Sequence, residues 1–203
     1  MVRNLVFRGR LGFIVGSLAG ALLLVLAALL PVSPLGVPTV QAADAPLDPR
    51  EIALNLADLQ PGFVVDPSVT AISVLPDSVG VSLRVDMRRP ASPQTLADGP
   101  IIVQQIIVRL DAPIPPETVL SAIRDELIRD AGMAPTPEGP NDGGTVSLKR
   151  VDGDVILYSV GFVKGNMIVF TTTGGLAQVT NFPKLVQLAG ITSSRLDAQL
   201  ARP

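Results

Sequence analysis

The stretch DVILYSVGFVKGNMIVFTTT (residues 154–173) decides how this chain is read. Val155, Ile156, Leu157, Tyr158, Val160, Phe162 and Val163 run into Lys164-Gly165-Asn166, after which Met167, Ile168, Val169 and Phe170 lead to three threonines. β-Branched and aromatic runs on either side of a short Gly-Asn turn predict a β-hairpin. Apolar residues fall on odd and even positions alike in both arms, so both faces of these strands are covered. Strands of that kind belong in the middle of a sheet. The hairpin therefore marks the core, and no side chain in it is chemically reactive.

Working outward, residues 145–151 alternate in polarity and reach the hairpin through an Asp152-Gly153 turn, and Gly174-Gly175 closes it. Upstream, Val81, Leu83, Val85 and Met87 alternate with Ser82, Arg84, Asp86 and Arg88, which predicts a strand with one dry and one wet face. Residues 101–110 form a long strand apolar on both faces, interrupted by Gln104 and Gln105, and residues 63–65 and 71–75 are shorter strand candidates. Pro115-Pro116-Glu117 opens a helix, with proline tolerated in the first turn and the glutamate near the positive end of the dipole. Its inner stripe is Val119, Leu120, Ile123, Leu127 and Ile128, and Gly132 stops it. A closing helix over 183–200 carries Leu185, Leu188, Ala189, Thr192, Leu196 and Leu200 at helical spacing. A short helical pattern at 51–56 places Ile52, Leu56 and Leu59 on one face, residues 90–100 read as a polar loop, and 133–144 reads as a mobile loop. The expected fold is α+β: a mostly antiparallel sheet of about six or seven strands with two main helices packed on it.

Before this domain lies a different kind of segment. Arg3, Arg8 and Arg10 precede an apolar run of 22 residues, 11–32, and small residues follow at 40–45. Basic start, apolar stretch and small-residue site are the three parts of an export signal. The run is longer than the about 7–15 residues of most signal peptides and reaches the about 20 that span a bilayer. Two fates stand open: a signal peptide cleaved near residue 43, or a single anchor with its N-terminus in the cytoplasm. Gly12, Gly16 and Gly20 recur every fourth residue, which suits helix contact in a membrane but is also common in signal segments. Proline-rich residues 33–49 are a spacer. The domains are therefore 1–43, signal or anchor with linker, and 44–203, extracytoplasmic.

Composition narrows the chemistry. The chain has no cysteine, histidine or tryptophan, which removes disulfides, thiolate catalysis, Cys or His metal sites, histidine acid–base chemistry and attachment by lipidation. From residue 44 onward 13 Lys+Arg face 18 Asp+Glu, since three of the 16 basic residues lie earlier; that acidic balance is a poor match for nucleic acid.

Two sets of residues are candidate sites. Arg84, Arg88 and Arg89 on one strand and Lys149 and Arg150 on another form a cationic patch if those strands are neighbours, able to hold a carboxylate or phosphate. Asp152 and Asp154, with Asn141 and Asp142, offer oxygen ligands to a hard cation, though the run of an EF-hand is missing. Neither 143–145 nor 173–175 has the spacing of a phosphate loop, so no cofactor is expected. A serine nucleophile would need a lysine base, and no Ser-x-x-Lys spacing is present.

At Leu56-Ala57-Asp58-Leu59-Gln60-Pro61-Gly62-Phe63 the chain resembles a broad set of exported bacterial domains that open with a "DLPPGF" or "DLPPGW" turn, with Gln60 where proline is usual. The Tyr158–Phe162 strand, the Lys164–Val169 turn region and a closing amphipathic helix follow in the same order. The resemblance implies a PsbP-like or LpqN-like sandwich of sheet and helices, acting as an extracytoplasmic accessory or binding domain, and supplies no catalytic residue set. The expected function is an exported, non-enzymatic domain that binds a partner protein or small ligand. A carboxylate-based hydrolase and a self-assembling envelope protein are the alternatives.

Overall fold

A computed structural model describes residues 47–75, 79–113, 115–141 and 144–202. The expected export segment, its glycine row and nearly all of the spacer lie outside the described residues. Among the described residues no helix is long and apolar enough to cross a membrane.

In chain order the elements are α1 (Pro49–Ile52), β1 (Val64–Val65), β2 (Ala71–Val74), β3 (Gly80–Arg88), α2 (Pro93–Ala97), β4 (Ile102–Leu110), α3 (Pro116–Ala131), β5 (Ala134–Pro135), β6 (Thr145–Asp152), β7 (Val155–Lys164), β8 (Met167–Leu176) and α4 (Phe182–Leu200). The eight strands make one antiparallel sheet in the order β1-β3-β4-β8-β7-β6-β5, with β2 also on β3. The fold is α+β as expected, and the hairpin of β7 and β8 lies at the centre of the sheet. Lys164 pairs with Met167 across the turn, where Gly165 takes φ +59°, a conformation glycine adopts without steric cost.

The two long helices lie on opposite faces of the sheet. Successive strand residues point to opposite sides, so Ile106, Val108, Leu148 and Ile168 meet Val119, Leu120, Ile123 and Leu127 of α3. Their neighbours Ile107, Val160, Phe162 and Val169 meet Leu185, Leu188 and Leu196 of α4, together with Ile52 and Leu54. This is why both arms of the central hairpin are apolar on both sides. Fully burying one such side chain stabilises the fold by about 1.5–3 kcal/mol.

Several local expectations are corrected. The 51–56 pattern is split: α1 ends at Ile52, a 3-10 turn follows over Leu56–Asp58, and Leu56 is exposed. Residues 90–100 contain α2, capped by Ser92. The 133–144 segment contains β5, and Met133 and Thr136 are buried in it. Ile128 and Leu200 are exposed, while Ala131 takes the inner position at the end of α3. Gly132 does close α3, in the left-handed conformation with φ +61°. The face of β3 expected to be wet is covered in part: Asp86 is wholly buried there and Ser82 nearly so, while Arg84 and Arg88 stay partly exposed.

The two glutamines of β4 are structural joints. Gln105 accepts from the backbone N–H of Leu54 at 2.8 Å and donates to Thr171 Oγ1 at 3.1 Å and Thr192 Oγ1 at 2.8 Å. It thereby ties the chain entry, β8 and α4 together in a buried polar network. Arg195 of α4 completes the joint, forking onto Asp58 at 2.7 and 2.9 Å and onto Ala53 O at 2.6 Å.

Candidate functional site

Arg84 and Arg88 both point to the face of β3 that carries Asp86. Asp86 Oδ2 accepts from Arg84 Nη2 at 2.8 Å and lies 3.9 Å from Arg88 Nη2, and its Oδ1 accepts from Gln104 Nε2 at 2.7 Å. Register explains the last bond, since Gln104 is the β4 residue directly opposite Asp86. Arg88 Nε also faces Asp66 at 3.5 Å, and the Ser68 hydroxyl holds the Asp66 carboxyl below the usual carboxylate range. Two guanidinium groups thus meet two carboxylates.

Lys149 is elsewhere. It lies on β6, with β7, β8 and β4 between β6 and β3, so the single patch that would join Lys149 and Arg150 to the β3 arginines does not form. Lys149 Nζ faces Glu138 at 3.9 Å, and Arg150 Nη1 donates to Ala131 O at 2.7 Å. Arg89, one residue past β3, points away from Arg84 and Arg88 and donates to the carbonyls of Thr95 and Pro100. Asp152 and Asp154 flank Gly153 in the turn between β6 and β7; Asn141 is engaged with the backbone of Thr136 and Gly139, and Asp142 lies outside the described residues. Among the described residues no three acidic groups gather in a metal-holding arrangement.

One contact brings a serine and a lysine together that sequence spacing did not reveal. Lys164 Nζ donates to Ser193 Oγ at 2.7 Å, and both oxygens of Asp197 lie 2.8 Å from the same ammonium. An ammonium held by a carboxylate cannot take the serine proton, so the trio is an ion pair and not a nucleophile with its base. The buried hydroxyls of Ser159 and Thr172 pair with each other at 2.9 Å.

The two edges of the sheet differ. At one, β5 carries Pro135, which removes a donor from that edge. At the other, β1 and β2 lie end to end along β3, separated by a turn from Asp66 to Thr70. β2 is Ala-Ile-Ser-Val, exposed along its whole length and without charge or proline. Ile72 is 48% and Val74 68% exposed, and Val64 and Val65 of β1 extend the apolar strip. Beside β2 a groove of about 360 Å³ is lined by Ala53, Ala71, Ile72, Leu83 and Val85, with Arg50 and Thr70. A second cavity of about 360 Å³ lies between α3 and β6, lined in part by Glu117, Ser121, Arg124 and Thr145.

The molecule is thus an α+β domain with one antiparallel sheet between helices, an open uncharged edge, and carboxylates spread over several ion pairs. No protein-family model matches the sequence, and no curated protein does. Among solved structures the chain is similar to the extracellular domain of PknH from Mycobacterium tuberculosis, at 12% identity and a TM-score of 0.48, with 79% of this chain and all of that one covered.

Proposed function

We propose that the chain is an exported, non-enzymatic extracytoplasmic domain that binds a partner protein by taking up an extended segment along β2. The observation that carries this reading is the open edge. Exposed strand edges template pairing, and folded proteins usually protect them with charge, proline or a bulge. β2 has none of these within its four residues, and an apolar groove runs beside it. An added strand would gain main-chain hydrogen bonds from the edge and side-chain pockets from the groove. The non-enzymatic reading is supported by Asp58, Asp86 and Asp197, each held by a cation from a different element, Arg195 of α4, Arg84 of β3 and Lys164 of β7. Export rests on the basic start and the apolar run ahead of the domain.

A photoreactive amino acid at Ser73 in the full chain, produced in its own host, tests the docking surface. The expected result is a discrete crosslinked partner from Ser73, absent when the same group replaces Arg129 on α3 and lost in Ile72→Lys. Equal crosslinking from both positions, or none from Ser73, overturns the reading. The intact mass of the chain recovered from membrane and extracytoplasmic fractions tests export, and recovery only from the cytoplasm refutes it.

A further inference from the structure

The register of β2 on β3 shows which main-chain groups the open edge presents. Leu75 N–H donates to Gly80 O at 3.0 Å, and Ser73 O accepts from the Ser82 hydroxyl at 3.5 Å, so Leu75 and Ser73 turn their main-chain groups toward β3. Hydrogen bonding alternates along an antiparallel pair. Ile72 and Val74 therefore turn theirs the other way, where no strand lies among the described residues. One copy of the chain thus presents two N–H and two C=O groups in a row.

The side chains at the same two positions also lack cover. Ile72 stands opposite Leu83, whose face of the sheet is covered farther along by α4, and Val74 shares that face two residues on. Val74, at 68%, is the most exposed large apolar side chain among the described residues.

The strand is its own complement. Turned about a two-fold axis at Ser73, it sets Ile72 of one copy opposite Val74 of the other and Ser73 opposite Ser73. This register joins all the outward groups, four N–H to four C=O across the pair. It places β-branched side chains against each other and no charge against a like charge, which antiparallel pairs favour. Arg84, the nearest cation in the ladder, stands behind Ala71; beyond Ala71 this register places Leu75 and then Gly80 of the other copy, both uncharged. The opposite edge of the sheet is guarded, by Pro135 in β5 and by Lys149, Arg150 and Asp152 in β6. With one open edge and a two-fold register, pairing closes at two copies and does not run on into a fibre.

We propose that β2 pairs antiparallel with β2 of a second copy, joining two eight-stranded sheets edge to edge. This rests on the docking reading and names its partner: the extended segment taken up is the same strand of another copy of this chain. The chain has no cysteine, so Ser73→Cys places a single thiol at the axis. Opposed residues of a pair without mutual hydrogen bonds have Cα atoms about 4.5 Å apart, within the about 4.4–6.8 Å that a disulfide spans. The full chain in neutral detergent is oxidised at rising concentration and resolved by non-reducing electrophoresis, beside Arg129→Cys on α3. Ser73→Cys is expected to form disulfide dimers at least about tenfold faster than Arg129→Cys, since only one of the two positions meets itself across the axis. Sedimentation of the chain without added cysteine is expected to show a monomer–dimer equilibrium that Ile72→Lys weakens about tenfold or more, because each dimer buries two copies of that side chain, with an unchanged circular dichroism spectrum. A chain that stays monomeric, equal crosslinking from the two cysteine positions, or a dimer that survives Ile72→Lys overturns the proposal. A photocrosslink from Ser73 to a different protein, without a Ser73→Cys dimer, overturns it and leaves the docking reading standing. No crosslink of either kind from Ser73 overturns both.

Discussion

Asp86→Ala is the substitution whose cost the structure fixes most directly. The carboxylate is 0% exposed and holds Gln104 Nε2 at 2.7 Å and Arg84 Nη2 at 2.8 Å, with Arg88 Nη2 at 3.9 Å. Alanine removes every one of these acceptors and leaves a buried amide donor and two guanidinium groups facing an apolar methyl. Breaking a fully buried pair costs about 3–5 kcal/mol. Arg84 and Arg88 keep 24% and 38% exposure, so water recovers part of that, and the expected loss is about 2–3 kcal/mol. For a domain of this size each kcal/mol moves Tm by roughly 2–4 °C, which predicts a fall of about 4–12 °C. Urea unfolding should show a lower midpoint at unchanged slope. Asp86→Asn keeps an acceptor for Gln104 and should lose less than alanine does. In a double-mutant cycle with Arg84→Ala the two losses should fall short of additive, because the second removal has no partner left to orphan. A loss under about 1 kcal/mol for Asp86→Ala would show that the β3 arginines do not depend on this carboxylate, and the argument that their charge is internally balanced would fail with it.

Tyr158 is the only tyrosine, so its ionisation can be followed by absorbance without ambiguity. Burial, then the neighbouring Glu138, raises its pKa above the ordinary 10.0; the folded state therefore keeps a proton that the unfolded state releases, and stability should be unaffected below pH 10 and fall as pH rises above it. A folded midpoint equal to that in 6 M guanidinium chloride would contradict the placement of its hydroxyl 3.4 Å from Glu138 Oε1. Arg195→Ala should free the chain entry: proteolysis and amide exchange over residues 47–60 accelerate, with a stability loss of about 1.5–3 kcal/mol for a charge-assisted joint, and uniform exchange across the domain would refute it. Gly161→Ala should cost about 1–3 kcal/mol because its methyl group would fall on the Phe170 ring, whereas Gly165→Ala, with open space but φ +59°, should cost about 1 kcal/mol; a reversed order by calorimetry would refute the packing at the hairpin.

The hairpin was legible because hydrophobic period reports burial directly: residues 155–163 and 167–170 leave no polar side, and a strand without a polar side has to be covered twice. The helix over 116–131 was legible for the same reason, through its stripe and its Pro-Pro-Glu and Gly132 ends. A stripe shows that a helix has a dry side but not which face of the sheet it covers, so the placement of α3 and α4 on opposite faces had no counterpart in the sequence. β1 fell within the strand candidate at 63–65, whereas β5, at two residues and inside a segment read as a loop, is too short to show any period.

The polar groups were harder still, for a physical reason. Alternation in β3 marks Asp86 as polar, and polarity is a property of one residue, whereas burial with compensation is a property of a pair. Its partner Gln104 stands 18 positions away and is found only once the register of β3 on β4 is known. The same holds for Arg89, which sequence reading grouped with Arg84 and Arg88: its guanidinium turns instead onto the carbonyls of Thr95 and Pro100, six and eleven positions away, and no pattern within β3 announces that.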